Sequence, residues 1–239
     1  MKTFLVLTLL ALVQSAVAES PKRVLFIGNS YTGGIRGTLN AMLKHEGIDA
    51  EVEYLTPGGK TLAWHWENGS QQTIRTGNWD VVVLQDQSQT PAYPGIQESF
   101  FKAGGQLVRF IQAQGAQAMF YMTWGRRDGD KQNRALAPDY TAMQDRLSAS
   151  YAKAAEMNKA SVAPCGEAWR RVREADPALG KKLYKKDGSH PSAQGAYLVA
   201  ATFTAILFEK VPSNIRFEGG LNPAERKVIL RAVEQTLRH

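Results

Sequence analysis

Apolar and polar residues follow two different spacings along this chain, and together they predict alternating strands and helices. Short apolar runs bounded by polar residues, glycine or proline are typical of buried strands. Longer stretches with apolar residues three and four positions apart are typical of amphipathic helices. Strands are predicted at residues 23–29, 50–56, 79–85, 116–123 and 161–164. Helices are predicted at residues 35–45, 97–114, 140–158 and 191–209, with a last one starting at Pro223 after the capping residue Asn222.

The order of these elements predicts the fold class. Strands that alternate with helices of about ten or more residues form parallel sheets joined by crossover helices. A strand as uniformly apolar as residues 81–84 suits a sheet that is covered on both faces. Because the sequence has no internal repeat and no linker, we expect residues 19–239 to form a single domain, a three-layer α/β/α sandwich around a parallel sheet of about five strands. Such sheets bind ligands at the carboxyl ends of their strands.

The first 18 residues have the pattern of a secretory signal peptide. A short basic start is followed by an apolar run at residues 4–13 and by the small-residue sequence Ala16-Val17-Ala18. The run is too short to span a bilayer, which takes about 20 residues. We therefore expect residues 1–18 to be removed and the rest to be secreted or periplasmic in a bacterium, without a stable membrane anchor.

Composition and charge narrow the chemistry. The single cysteine, Cys165, excludes an internal disulfide and is expected to be a small buried side chain. One cysteine and four histidines offer little material for a structural metal site, and we expect neither a metal nor a cofactor. The net charge of +7 is dispersed, and its densest groups, at residues 170–186, lack interleaved aromatic residues that could stack on bases. We expect a solvated basic face and no nucleic-acid site, a face compatible with an anionic polysaccharide.

The sequence Gly28-Asn29-Ser30 follows the first predicted strand, and a helix follows within a few residues. Ser30 therefore lies on a strand-to-helix turn, where backbone N–H groups and the helix dipole favour negative charge. Two interpretations are open on these residues alone, a helix cap and a nucleophile. The surrounding sequence is neither the G-x-S-x-G elbow, since Thr32 replaces its last glycine, nor a G-x-G-x-x-G fingerprint.

A second polar segment, Asp187-Gly188-Ser189-His190, precedes Pro191 near the end of the chain. A catalytic triad needs an imidazole that accepts the serine proton and a carboxylate that fixes its tautomer. Asp187 and His190 are three positions apart on a glycine-containing loop, so both side chains can face one point. His190 is the histidine with a carboxylate at this compact spacing, whereas an ordinary loop histidine is the alternative interpretation.

Gly28-Asn29-Ser30 near the start and Asp187-x-x-His190 near the end together resemble the SGNH (GDSL-like) hydrolase superfamily. The resemblance covers nearly all of the chain after the predicted signal peptide. It implies a flavodoxin-like three-layer sandwich, Ser30 as nucleophile, and Asp187 and His190 as its triad partners. A secreted, poorly characterised branch that resembles carbohydrate esterases is similar in its glutamine-rich third block, in the histidine at His65 and in Thr123-Trp124.

The same resemblance implies an oxyanion hole. The N–H groups of Ser30 and of Gly59 would contribute to it, with Gly58 as the alternative glycine. The third block is normally G-x-N-D, but this chain has Gln85-Asp86-Gln87-Ser88 there. We place the asparagine position at Gln87, whose amide is also a donor, with Gln85 as the alternative.

These observations predict a serine esterase that works through an acyl-enzyme, on small acyl groups, acetyl above all, carried by a carbohydrate. Trp124, His65 and Asn29 are the predicted substrate-binding residues, with Trp124 stacking on a sugar ring. Trp64 and Trp66 also follow a strand and have a weaker claim to that role. The alternatives are a lipid or aryl esterase, an acyltransferase with the same triad, and a non-catalytic carbohydrate-binding protein. The sequence does not indicate an oligomeric state.

Overall fold

The computed structural model of the chain describes residues 21–238, so the predicted signal peptide at residues 1–18 lies outside the described residues. The described strands are β1 (Arg23–Ile27), β2 (Glu51–Leu55), β3 (Val81–Leu84), β4 (Gln117–Tyr121) and β5 (Ser161–Ala163). The described helices are α1 (Ser30–Glu46), α2 (Leu62–Glu67), α3 (Ser70–Thr76), α4 (Gln97–Ala113), α5 (Tyr140–Asn158), α6 (Cys165–Ala175), α7 (Pro177–Lys182), α8 (Ala193–Phe208) and α9 (Pro223–Leu237). Within this range no helix is long and apolar enough to cross a membrane.

The five strands form one parallel sheet in the order β2-β1-β3-β4-β5. Successive side chains of a strand point to opposite faces, and both faces of this sheet carry a hydrophobic core. Val24 and Phe26 belong to the core beneath α1, α6, α8 and α9. Leu25 and Ile27 belong to the core on the other face, beneath α2, α4 and α5. The predicted three-layer α/β/α sandwich is therefore confirmed, as is the parallel sheet of five strands.

Helix α1 starts at Ser30, five positions earlier than the predicted start at Ile35. The Asn29 side chain caps it by accepting a hydrogen bond from the Tyr31 N–H at 3.1 Å. Gly33 and Gly34 disfavour a helix in this turn, which hides it from a pattern of apolar positions. A Cβ atom at Gly34 would lie 3.0 Å from Pro191 Cγ, so glycine lets α1 approach the loop that carries His190.

Four helices were not predicted, and three of them, α2, α3 and α7, have only six or seven residues. Helices this short cover less than two turns and show little periodicity. The fourth, α6, has a strongly charged outer face and only a narrow apolar stripe that contributes Trp169 and Val172 to the core. Cys165 is buried at its first position, as predicted.

Candidate active site

The structure brings Ser30, His190 and Asp187 together at the carboxyl edge of the sheet. Ser30 is the first residue of α1, and the other two lie on the loop between α7 and α8. Ser30 Oγ is 2.9 Å from His190 Nε2, and His190 Nδ1 is 2.7 Å from Asp187 Oδ2. Because a carboxylate only accepts, His190 Nδ1–H donates to it and leaves Nε2 free to accept the Ser30 hydroxyl proton.

The loop itself fixes the Asp187 carboxylate. Its Oδ1 accepts hydrogen bonds from the backbone N–H groups of Ser189 at 2.9 Å and His190 at 3.0 Å. Burial raises the pKa of Asp187, but these bonds and the contact with the His190 ring outweigh it and lower the pKa below its usual value. The loop is closed by a further bond from Lys185 N to His190 O at 2.8 Å. Asp187 therefore stays ionised where it orients the imidazole.

Two neighbouring segments hold the turn that presents Ser30. The Asn29 N–H donates to Gln85 Oε1 at 3.0 Å, and Asn29 Nδ2 donates to the Lys60 carbonyl at 2.9 Å. His65 Nε2 donates to the Gly28 carbonyl at 2.7 Å. The turn after β1 is thus bonded to the segments after both adjacent strands, β2 and β3. Since the first N–H groups of a helix have no partner inside it, the Ser30 N–H at the start of α1 is available to an oxyanion.

Of the two candidate glycines, Gly59 borders the cleft beside Ser30 and Gly58 does not. Gly59 has φ +68°, a left-handed conformation that favours glycine. Nothing lies within 4 Å of a Cβ placed at either glycine, so the difference between them is the contact of Gly59 with the cleft. The geometry favours Gly59 as the second predicted donor.

The two candidate glutamines have different environments. Gln85 is fully buried, and its Oε1 accepts from the Asn29 N–H and from Thr32 Oγ1 at 2.8 Å. Its Nε2 donates to the Asp86 carbonyl, so the amide is already used. Gln87 instead borders the cleft, where its Oε1 accepts from the Gln89 N–H at 2.7 Å and its Nε2 donates to Gln89 Oε1 at 3.2 Å. These bonds fix the Gln87 amide plane and use one of the two N–H groups of Nε2. The second N–H, at a position that borders the cleft, favours Gln87 over the buried Gln85 as the third donor.

The prediction that Trp124 stacks on a sugar is wrong. Trp124 is 0% exposed, since its ring lies between Trp169, at a centroid distance of 4.0 Å, and Tyr31, at 4.9 Å. Both faces of the indole are therefore covered by the protein. Its Nε1–H donates to the Ser189 carbonyl at 3.0 Å, so Trp124 supports the loop that carries His190.

The prediction of substrate binding by His65 is also wrong. His65 is 1% exposed and is used in the hydrogen bond to Gly28. Burial lowers its pKa, and the Gly28 carbonyl only partly offsets this, so the ring is neutral and supports the Ser30 turn. Asn29 borders the cleft, but both ends of its amide are already bonded within the protein. Trp64 and Trp66 lie on the short helix α2.

The cleft around Ser30 encloses about 150 Å³. Its lining comprises Asn29, Ser30, Tyr31, Gly59, Gln87, Ser88, Arg126, Ser189 and His190. The sequence analysis did not identify Tyr31, Ser88, Arg126 or Ser189. Arg126 could have been identified from the sequence, because it comes shortly after the end of β4, at the edge where such sheets bind ligands. Among residues 21–238, no group of three or more histidine, cysteine and carboxylate side chains is placed to hold a metal ion.

Comparison with known proteins agrees with this architecture. No protein-family model and no curated protein sequence matches the chain. Among solved structures, a DUF4886 family protein from Bacteroides uniformis superposes with a TM-score of 0.80 at 20% identity, covering 91% of this chain and 95% of that chain. A protein from Slackia heliotrinireducens, described as a candidate SGNH hydrolase, has 31% identity and a TM-score of 0.64, covering 76% and 96%. An acetylxylan esterase from Geobacillus stearothermophilus has 18% identity and a TM-score of 0.58, covering 84% and 97%.

The fold and these comparisons define a three-layer α/β/α hydrolase. At 31% identity over nearly the whole length of the Slackia structure, the chain belongs to the SGNH hydrolases. The resemblance read from its serine and histidine motifs is confirmed at the level of the family.

Proposed function

We propose that this protein is a serine esterase with Ser30 as nucleophile, His190 as general base and acid, and Asp187 as the carboxylate that orients His190. The observation that carries the proposal is the continuous hydrogen-bonded line from Ser30 Oγ to His190 Nε2, at 2.9 Å, and from His190 Nδ1 to Asp187 Oδ2, at 2.7 Å. Its distances lie within the range in which a base can take a proton from a nucleophile.

In the first half of the reaction Ser30 Oγ attacks the ester carbonyl carbon while its proton passes to His190 Nε2. The carbonyl electrons move to the oxygen, which accepts hydrogen bonds from the N–H groups of Ser30 and Gly59 and from the Gln87 amide. The tetrahedral intermediate then expels the alcohol oxygen, which takes the proton from His190. An acyl group remains bonded to Ser30.

In the second half water attacks this acyl group and gives its proton to His190 Nε2. The bond between Ser30 Oγ and the acyl carbon breaks, and the proton returns to Oγ. The carboxylic acid leaves, and the site is restored. Asp187 keeps the imidazole in one tautomer and favours the imidazolium that forms in each half.

Small acyl esters on carbohydrate fit this cleft best. Its 150 Å³ is below the roughly 300–1,000 Å³ of pockets that hold drug-sized ligands, and this supports a small acyl group such as acetyl next to Ser30. The similarity to an acetylxylan esterase supports an acetylated glycan as the class of substrate. We further propose that the enzyme acts outside the cytoplasm, because residues 1–18 have the pattern of a cleaved signal peptide.

Ser30→Ala tests the proposed nucleophile. We expect release of acetate from acetylated xylan oligosaccharides, and from a simple aryl acetate, to fall by at least about 10³-fold, because the nucleophile is lost while the oxyanion donors remain. Labelling by a fluorophosphonate probe should disappear as well. Ser99→Ala, at an exposed position on α4, is the matched control and should retain both signals.

Circular dichroism of both variants would show that the fold is intact. A wild-type protein that is folded but releases no acetate from either substrate, and that the probe does not label, would contradict the proposal. In that case binding of an unmodified glycan, measured by calorimetry, would favour the carbohydrate-binding alternative.

A further inference from the structure

Arg126 is a cleft residue for which the proposed chemistry has no role. It lies shortly after the end of β4 and borders the same 150 Å³ space as Ser30 and His190. Among the described residues that line this space, Arg126 carries a permanent charge and none is acidic. A neutral acetyl ester needs no such cation beside it.

A dedicated group of side chains fixes the position of this guanidinium. Arg126 Nη1 donates to Asp130 Oδ1 at 2.8 Å, and the Asp130 side chain is 0% exposed. The other contacts of the Asp130 carboxylate are donors from Gln89, Tyr93, Gln132 and Asn133 at 2.7–3.0 Å. Burial raises the pKa of Asp130, but these donors outweigh it and lower the pKa, so Asp130 is a fixed anion.

The Asp130 carboxylate accepts hydrogen bonds from four residues besides Arg126. In turn, it pairs with only one nitrogen of the Arg126 guanidinium. A guanidinium has five N–H donors in a planar fork. One terminal nitrogen of Arg126 is paired with Asp130, and Nε is buried without a partner. A buried N–H group without a partner lowers the stability of the folded protein. Stability therefore does not explain why position 126 is an arginine. Nε is closed off from the cleft, but the side chain is 23% exposed and Nη1 is the nitrogen that pairs with Asp130, so the N–H groups of Nη2 remain for a group that enters the cleft.

We propose that Arg126 binds a carboxylate of the substrate next to the scissile ester, so that the enzyme prefers acidic esters over neutral ones. This inference rests on the proposed function, because it names the substrate class of the same site. A planar guanidinium matches a carboxylate through paired, charge-assisted hydrogen bonds. The net charge of +7 adds long-range attraction for a polyanion. An acetylated glycan that contains uronic acid has this chemistry.

Two matched pairs of substrates test the proposal and separate the two places where the carboxylate can be. The first pair is an acetylated galacturonic acid methyl glycoside and the corresponding acetylated galactoside, with the charge on the alcohol part. The second pair is an aryl hemisuccinate and the aryl butyrate, with the charge on the acyl part. We expect kcat/KM for the acidic member of at least one pair to exceed that for its neutral partner by about tenfold or more, since a hydrogen bond to a charged group contributes that much.

The Arg126→Gln variant should reduce that ratio to about one or less. The double variant R126Q/D130N removes both charges of the ion pair and covers the case in which the single variant does not fold because Asp130 is left buried without its cation. Arg126→Lys should keep part of the preference. Arg109→Gln, which removes the same charge from an exposed position late in α4, should keep all of it.

Equal kcat/KM values for acidic and neutral members of both pairs in the wild type would overturn the proposal. So would a preference that is unchanged in R126Q or in R126Q/D130N. If the wild-type protein hydrolyses all four esters without such a preference, the esterase function stands and only the role of Arg126 fails. If it hydrolyses none and Ser30 is not labelled, both proposals fail together.

Discussion

Gln85 and Gln87 are two positions apart, yet the structure gives them different tasks. Gln85 is buried and bonds to the turn that carries Ser30, whereas Gln87 borders the cleft. Gln87→Ala should lower kcat by about 10²–10³, the usual effect of losing one oxyanion donor. Its free energy of unfolding should fall by about 0.5–1.5 kcal/mol, the usual net contribution of a hydrogen bond, because the Gln89 N–H loses its acceptor. Steady-state kinetics and urea unfolding measure the two effects.

Gln85→Ala is the comparison variant. It removes the acceptor of the Asn29 N–H and of the Thr32 hydroxyl, and both donors are buried. We expect it to lower the free energy of unfolding by about 1–3 kcal/mol for each donor left without a partner. A Gln87→Ala variant with full kcat would contradict the oxyanion assignment. A Gln85→Ala variant as stable as wild type would contradict the supporting role.

For individual residues, the sequence predicts roles that follow from neighbours along the chain and misses roles that depend on tertiary packing. Asp187 and His190 are three positions apart on one loop, so their pairing is a local property. The burial of Trp124 depends on Trp169, which lies 45 positions later on a helix that was not predicted. Arg126 was missed because its significance depends on Asp130 and on donors from two separate segments.

Helix α1 connects local structure to the site, because its first turn presents Ser30 and packs against Pro191, the neighbour of His190. The variants Gly34→Ala and Gly37→Ala separate the effect of helix propensity on stability from the effect of the contact with Pro191 on the site. Alanine at an exposed helical position gains about 1 kcal/mol over glycine. At Gly37 nothing lies within 4 Å of the new Cβ, so we expect that gain in full and unchanged kcat/KM.

Alanine at Gly34 places its Cβ 3.0 Å from Pro191 Cγ, so either α1 or the loop must shift. We expect a smaller gain in stability than at Gly37, and a kcat/KM lowered by about tenfold, because small displacements of catalytic groups are costly. Thermal unfolding and esterase kinetics of the two variants check this. Equal stability and equal kcat/KM for the two would show that the contact with Pro191 does not position His190.

For the whole molecule, the alternation of strands and helices was enough to predict the class of fold. The strands are apolar runs such as Val81–Leu84, and their connections are long helices, so a parallel sheet with two covered faces follows from the pattern. The short helices α2 and α3 were missed, although they carry His65 and pack on α4. Their place is set by tertiary contacts and not by periodicity.

The dense packing of this sheet also buries an ionisable group between the two candidate glutamines. Asp86 is 0% exposed, and its Oδ1 accepts from the Gln87 N–H at 2.6 Å. Burial raises the pKa of Asp86 from 3.8 to about 7, although hydrogen bonds from the Gln87 and Leu62 backbone and from the Thr90 side chain partly offset it. The folded protein therefore keeps a proton on Asp86 at acidic pH values where the unfolded chain has already lost it.

This difference predicts a stability that depends on pH. A carboxyl whose pKa is higher in the folded state contributes most below pH 3.8, and the contribution is lost as the pH rises to about 7. Asp86→Asn cannot lose a proton and keeps an acceptor for the Gln87 N–H. Its unfolding free energy relative to wild type should therefore rise between pH 4 and pH 7, by up to about 1.4 kcal/mol per pH unit, and stay constant above. Urea unfolding of both proteins at a series of pH values measures this. A relative stability that does not change with pH would mean that Asp86 ionises at its ordinary pKa and that water reaches it beneath the cleft.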